Sequence, residues 1–106
     1  NFKISLPETA IGMELTPLLL ALTTARISRQ HMTRVALQSE VYNPEQAVEA
    51  GFIDEAVAAG LLDARTMEVA LKLASLPQAQ YAANKLSIRA NTLRTMNDNL
   101  AEMAKR

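Results

Sequence analysis

Glu8 is the residue of this chain whose type and position best fit a chemical role. It follows Pro7 and the alternating phrase Phe2–Leu6, so the sequence places its carboxylate where a short strand turns away from a sheet. Gly12 lies shortly after it and permits a close approach of the backbone. A carboxylate at such a turn can act as a general acid or base. The competing interpretation is a solvated turn residue, because a single Pro-Glu step does not identify a site.

Other candidate groups are fewer. Lys85 and Arg89 are spaced to share one helix face and can offer positive charge to a phosphate, although a solvated helix face is the simpler explanation. We interpret His31 as a surface or interface histidine, because its local sequence offers no acidic or nucleophilic partner. The chain contains no cysteine and one histidine, and it shows no glycine-rich phosphate loop, so no metal site or bound cofactor is predicted.

The amino-acid composition argues against two classes of binding partner, nucleic acids and membranes. The 106 residues carry a formal net charge of zero, and the basic residues are scattered, so neither a nucleic acid nor a membrane surface is an expected partner. The longest apolar run, Pro17–Leu22, is too short to span a bilayer. We therefore expect a soluble, cytoplasmic protein.

Several segments carry start and stop signals of secondary structure. Strand-like patterns cover Phe2–Leu6 and Phe52–Val57. Helices are predicted from the N-cap Thr16 to about residue 25, from Ser28 to about residue 39, from Asn43 to Gly51, from residue 62 or 63 to Pro77, and from Pro77 towards the end. The fold class is therefore mostly α with two minor strands.

Apolar residues recur at spacings of three and four along the last two predicted helices. We expect these stripes to be covered either by the preceding helices or by another subunit, because exposing them is unfavourable. The residues of the two stripes are Leu62, Val69, Leu73 and Leu76 in the first helix, and Leu86, Ala90, Leu93, either Met96 or Asn97, Leu100 and Met103 in the second.

Two phrases carry a family resemblance. The order and spacing of Leu6-Pro7-Glu8, Ile11-Gly12 and the run Tyr42–Asp54 resemble consecutive segments of crotonases, the enoyl-CoA hydratase/isomerase superfamily, and Leu73–Pro77 followed by Lys85 is similar to what comes next. The resemblance covers nearly the whole chain and implies the C-terminal part of an α/β protein. Residues 1–60 would form the end of its ββα spiral, and residues 61–106 its helical trimerisation region.

The resemblance also implies an activity. Glu8 matches the glutamate that hydratases use as a general acid/base beside a thioester, and Lys85 becomes a candidate for binding coenzyme A. The implied substrate is an acyl-CoA of fatty acid metabolism, without a covalently bound cofactor, and the implied assembly is a homo-oligomer, either a trimer or a dimer of trimers. The enzyme would be a lyase or an isomerase.

The chain departs from the family pattern at three points. It begins at Asn1 within a strand-like phrase, so we expect it to start in the middle of a fold. The family's second glutamate and its oxyanion hole lie in an earlier part of the fold, so this chain alone is expected to be nearly inert. Met13–Leu18 replaces a glycine-rich stretch usual in hydratases, which leaves hydration, isomerisation and hydrolysis open.

Two other hypotheses remain at the level of sequence. The chain can be a non-catalytic helical module that retains the family's assembly surface, as its long last helix suggests. Alternatively, it is an unrelated helical bundle, in which case Phe2–Leu6 should not be extended.

Overall fold

The structure, a computed structural model, describes residues 2–105, so Asn1 and Arg106 lie outside it. Within that range the chain is mainly helical, as the sequence predicts. The α-helices are α1 (Pro17–Arg26), α2 (Pro44–Ala50), α3 (Leu62–Ala74) and α4 (Gln78–Ala104). Two 3₁₀ turns, at Arg29–His31 and Ala59–Leu61, and a π-helix at Thr33–Leu37 complete the helical elements.

These residues cluster into two compact units. Unit 1 comprises residues 1–56 and 91–106, and unit 2 comprises residues 57–90. The long helix α4 therefore contributes its first half to unit 2 and its second half to unit 1. The sequence instead predicts a single boundary at residue 60, with the end of a core before it and an oligomerisation segment after it. That functional division stays a prediction.

Helices α1 and α2 begin where their capping residues predict. The Thr16 hydroxyl accepts the N–H of Leu19, and Pro17 occupies the first turn of α1. At α2, the side chains of Asn43 and Gln46 exchange hydrogen bonds with each other's backbone N–H groups at 2.8 and 3.0 Å. This reciprocal capping satisfies two N–H groups that the first turn of a helix leaves without partners.

Gly51 ends α2 in a left-handed conformation, with φ of 104°. A Cβ atom at this position would lie 2.6 Å from the backbone oxygen of Arg26, at the end of α1. The neighbouring carbonyl of Ala50 accepts the N–H of Ser28 at 2.9 Å. Glycine therefore permits both the turn and the close approach of the two helix ends.

The two predicted strands are wrong. In the described part of the chain, β pairing is limited to one antiparallel bridge, in which Ile4 and Tyr42 exchange backbone hydrogen bonds of 2.9 and 2.8 Å. Residues 52–57 form bends and irregular backbone. Alternating side chains favour an extended backbone, but a regular strand also needs a neighbouring ladder along its length. Phe2–Leu6 has such a neighbour only at Ile4.

The segment predicted as a second α-helix folds differently. A 3₁₀ turn at Arg29–His31 is followed by the π-helix Thr33–Leu37, in which the N–H of Gln38 bonds to the oxygen of Thr33. Its apolar spacing nevertheless buries Val35 and Ala36. Periodicity thus identified the buried face, but the same apolar spacing fits an α-helix, so it did not identify the π-helical hydrogen bonds.

The core lies in unit 1. It consists of buried residues from the end of α1, the π-helix, the bridge with Ile4, and α2, with partly buried apolar residues packed against it. The buried members are Ile27, Val35, Tyr42, Ala47 and Ala50, and the packed residues are Ile4, Leu6, Met32, Phe52 and Ile53. The rings of Tyr42 and Phe52 are tilted, with centroids 5.8 Å apart. The bridge at Ile4 and Tyr42 therefore ties the segment that carries Glu8 to this core.

Most residues of the apolar stripes predicted in α3 and α4 are exposed, and what covers them stays a prediction. Leu62, Leu73 and Leu76 are exposed, and so are Leu86, Leu93 and Leu100. The helices themselves form as predicted, because local spacing and the breaker Pro77 define them. Within residues 2–105, the length and apolar character needed to cross a membrane are not found in any helix.

Candidate active site

Glu8 lies at the first position of a tight turn that closes on Met13. Its carbonyl oxygen accepts the N–H of Met13 at 2.7 Å and that of Ile11 at 3.2 Å. Gly12 lies inside the turn with φ of 76°, a left-handed conformation that favours glycine. The predicted turn at Glu8 therefore forms, although it follows an isolated bridge and not a regular strand.

Two hydrogen bonds attach this turn to the π-helix region. The Thr9 hydroxyl donates to the carbonyl of Ala36 at 2.9 Å. The N–H of Ala10 donates to the Ser39 hydroxyl at 3.2 Å. The two residues that follow Glu8 are thus each held by a residue about thirty positions further along the chain.

The Glu8 side chain is half-buried, and one of its carboxylate oxygens is enclosed by protein. Oε1 is shielded from solvent and has no hydrogen-bond partner among the described protein atoms. A solvated turn residue would expose its carboxylate to water, so that interpretation does not fit Oε1. A positioned carboxylate oxygen whose hydrogen-bonding capacity the protein does not use can exchange a proton with a bound molecule.

Lys85 lies in unit 2, on the wall of an open groove of about 420 Å³. Its ammonium group is 5.8 Å from the centroid of the Tyr81 ring, within the range of a cation–π contact. Arg89 lines the same groove, so the predicted pairing of these two cations on one face is observed. The remaining wall is mixed apolar and amide, formed by Leu76, Pro77, Gln80, Asn84 and Ile88. Such a groove suits a ligand with both a charged and a flat apolar part.

His31 is buried, so the expected surface position is wrong, whereas the alternative of an interface histidine stays a prediction. Its Nδ1 lies 2.8 Å from the hydroxyl of Ser28, a partner that the sequence analysis missed. The signal was present, because Ser28 precedes His31 by three positions and one turn of helix-like backbone brings them together. The contact fixes the ring, and the tautomer decides which atom donates.

A small polar pocket of about 180 Å³ lies beside His31 and Tyr42, and Arg34 and Glu40 also line it. The Tyr42 hydroxyl is buried and has no hydrogen-bond partner of acceptable geometry. Burial raises the pKa of Tyr42 above its ordinary value of 10.0, and Glu40 close by raises that pKa further, whereas Arg34 lowers it. The phenol therefore remains protonated at neutral pH.

Within the described part of the chain, no three His, Asp or Glu side chains are grouped so that they can hold a metal ion. Glu8 belongs to unit 1 and Lys85 to unit 2. Each residue is therefore considered within its own unit. The Glu8 turn offers a carboxylate for proton exchange, and the Lys85 groove offers positive charge for a charged ligand.

Several solved protein structures share this fold. The chain superimposes on a probable enoyl-CoA hydratase from Mycobacterium tuberculosis with a TM-score of 0.89 and 30% sequence identity, over 98% of this chain and 44% of the other. The chain belongs to the crotonase superfamily. It corresponds to the C-terminal part of that fold and spans less than half of the matched structure.

Two further crotonase structures agree. One is a separate apo structure of the same Mycobacterium tuberculosis protein, there named an enoyl-CoA isomerase, with a TM-score of 0.89, 30% identity, and coverage of 99% of this chain and 46% of that chain. The other is an enoyl-CoA hydratase/isomerase family protein from Pseudomonas syringae, with a TM-score of 0.88, 27% identity, and coverage of 96% and 44%. No family model and no curated protein sequence matches the chain.

The crotonase fold confirms the predicted fold class and makes the hypothesis of an unrelated helical bundle wrong. The roles of Glu8 and Lys85 stay predictions. The names of the matched structures include both hydratase and isomerase, so they do not choose between these reactions.

Proposed function

We propose that this chain is the C-terminal part of an acyl-CoA hydratase/isomerase-type enzyme in which Glu8 transfers a proton at a carbon next to the thioester. The observation that carries the proposal is the shielded Glu8 Oε1, which no described protein atom hydrogen-bonds, in a chain of the crotonase fold. A general acid/base must reach its proton directly, so its oxygen has to be positioned without being consumed by a protein partner.

The turn supports this role through its rigidity. Glu8 is fixed by the hydrogen bonds from Met13 and Ile11, and the next two residues are tied to the π-helix region. Fixing the backbone at Glu8 limits how far its carboxylate can move when a substrate arrives, and such positioning favours proton transfer. The residues that polarise the thioester would belong to the part of the fold that precedes this chain.

The groove at Lys85 supports a second element of the proposal, the recognition of coenzyme A. Lys85 and Arg89 provide charge for phosphate oxygens, and the Tyr81 ring offers a flat surface. The proposed substrate is thus an acyl-CoA thioester. The direction of the chemistry, as hydration or as isomerisation, depends on where the second proton-transfer group lies, and a cytoplasmic role in fatty acid metabolism remains a prediction.

Substitution of Glu8 tests the proposal in the native full-length protein. Glu8→Gln keeps the shape of the side chain but removes the proton-transfer group, so we expect enoyl-CoA turnover to fall by roughly 10²- to 10⁴-fold while the KM changes little. Hydration is followed by loss of the enoyl thioester absorbance and isomerisation by product analysis. Glu14→Gln, at an exposed position nearby, is the matched control and should leave turnover unchanged.

Full turnover by Glu8→Gln on both reactions would contradict the assignment. A loss of turnover accompanied by an equal loss in Glu14→Gln would also contradict it, because a general change of charge on this segment would then explain both. Thermal unfolding of each variant establishes that the fold is intact, so a loss of activity is attributed to the carboxylate.

The second candidate is a non-catalytic oligomerisation or interaction module, favoured by the exposed apolar stripes of α3 and α4. These helices expose large side chains that water solvates poorly, among them Met67, Leu71, Leu86, Ile88 and Met103. The proposed assembly is a trimer or a dimer of trimers. Analytical ultracentrifugation at micromolar concentration tests it, and a folded monomer would count against an assembly role.

A further inference from the structure

We propose that Ser39 is a positioning residue for Glu8, because its hydroxyl holds the turn that presents the carboxylate. This inference rests on the proposed function and extends it to a residue some thirty positions away in the sequence. Among the described residues, Ser39 is the non-glycine residue with a positive φ, at 52°.

The local backbone gives the reason for that conformation. The π-helix ends at Gln38, whose N–H bonds to Thr33 O at 3.0 Å, and the N–H of Glu40 reaches back to Arg34 O at 3.0 Å. A residue between such closing hydrogen bonds adopts the left-handed conformation, which glycine accepts without strain and serine does not. Backbone geometry alone would therefore favour glycine at position 39.

The serine hydroxyl has a contact that glycine cannot make. It accepts the N–H of Ala10 at 3.2 Å, and Ala10 is two residues after Glu8. On the adjacent side, the Thr9 hydroxyl donates to Ala36 O at 2.9 Å. The end of the π-helix thus holds the turn at two consecutive residues, and strained residues of this kind concentrate where a functional group must be oriented.

Orientation matters because proton transfer depends steeply on geometry. A displacement of about 1 Å by a change outside the reacting groups can reduce turnover by around 10²-fold. Without the Ser39 hydroxyl, Ala10 loses its cross-segment partner, while the local bonds from Ile11 and Met13 to Glu8 O remain. The turn would persist but be held less firmly, so we expect a partial loss of turnover.

A purely structural role for Ser39 makes the opposite prediction for one substitution. Ser39→Gly removes the hydroxyl and also relieves the backbone strain, so the protein should become no less stable. If Ser39 positions Glu8, the same substitution lowers kcat. A change that preserves stability but reduces turnover separates positioning from folding.

The experiment uses the native full-length protein with Ser39→Gly, Ser39→Asn and the control Ser75→Ala. Ser39→Gly should lower kcat by roughly tenfold with little change in KM, leave the thermal midpoint unchanged or higher, and accelerate amide hydrogen exchange in residues 9–13. Ser39→Asn should restore part of kcat, because asparagine tolerates positive φ and carries an acceptor oxygen. Ser75→Ala removes a serine hydroxyl that bonds to Lys72 O in unit 2 and should leave kcat unchanged.

Unchanged kcat in Ser39→Gly would overturn the inference, as would a fall in kcat that is matched by a fall in the thermal midpoint and is not restored by Ser39→Asn. Glu8→Gln, measured in parallel, separates this result from failure of the proposed function. If Glu8→Gln loses turnover and Ser39→Gly does not, only the positioning role is wrong. If Glu8→Gln retains turnover, the proposed function fails, and with it any positioning of a catalytic Glu8.

Discussion

The side chain of Asn99 in α4 accepts the backbone N–H of Leu18 in the first turn of α1, at a distance of 2.9 Å. Leu18 and Asn99 are 81 positions apart, and both belong to unit 1. The N-terminus of α1 is therefore capped twice, locally by Thr16 and at long range by Asn99. This contact joins the second half of α4 to the segment that follows the Glu8 turn.

Removing the long-range cap should weaken the folded state. Asn99→Ala leaves the partly buried N–H of Leu18 without this acceptor, so we expect the free energy of unfolding to fall by about 1 kcal/mol. Urea denaturation measures the change. Asn97→Ala, two positions earlier at an exposed site on the same helix, is the control and should differ from the unsubstituted protein by less than about 0.5 kcal/mol. Equal effects in both variants would show that helix propensity, and not the cap, was responsible.

Gly51 should tolerate no side chain. In Gly51→Ala, the new methyl group would meet Arg26 O at 2.6 Å and the backbone would keep an unfavourable positive φ, so we expect a loss of roughly 2 to 4 kcal/mol. Gly60→Ala is a matched control, because nothing lies within 4 Å of its added Cβ. Thermal unfolding compares the two variants, and a similar midpoint for both would refute the close approach at Gly51.

Tyr42 predicts a dependence of stability on alkaline pH. Since burial raises the pKa of Tyr42 in the folded state, the unfolded state loses the phenolic proton at lower pH than the folded state does. The stabilisation from the protonated phenol is therefore fully present below pH 10.0 and is lost as pH rises through the folded pKa.

Tyr42→Phe should remove this part of the pH dependence and change stability little at pH 7, because the hydroxyl makes no hydrogen bond of acceptable geometry. Urea unfolding of both proteins at neutral pH and above pH 10 measures the difference. An identical alkaline loss in Tyr42→Phe would show that other groups cause it.

The Lys85 groove predicts a salt-sensitive affinity for coenzyme A. In the native full-length protein, Lys85→Met keeps much of the side-chain volume but removes the charge, so we expect the Kd for coenzyme A to rise by roughly 5- to 20-fold at low salt and by less at high salt. Isothermal titration calorimetry measures both values. Lys72→Met, an exposed lysine in α3, is the control. An equal effect of Lys72→Met would indicate only the loss of net charge.

Sequence signals that act within a few residues predicted the structure correctly, whereas features that depend on distant segments were not predicted. Thr16, Asn43 and Gly51 were predicted correctly as helix boundaries, because caps act within one turn of backbone. The strand at Phe2–Leu6 was wrong, because pairing requires a neighbour that alternation cannot supply. The π-helix at Thr33–Leu37 was missed, since its apolar spacing also fits an α-helix.

For the candidate site, too, the features that depend on nearby residues were predicted and those that depend on distant residues were not. The sequence placed Glu8 at a turn and put Lys85 and Arg89 on one face, because both depend on residues only a few positions apart. It did not indicate that Ser39 holds the Glu8 turn, that Glu8 Oε1 is shielded from water, or that Ser28 bonds to His31.

The amino-acid sequence by itself determined the helical character of this protein, the helix starts at Pro17 and Pro44, the break at Pro77, and the resemblance to crotonases, since these follow from local propensity and ordered short motifs. Only the tertiary structure decided which polar groups are shielded from water and which distant segments form hydrogen bonds with each other. Burial and long-range hydrogen bonds such as that between Leu18 and Asn99 arise from the packing of segments far apart in the chain, which no local pattern encodes.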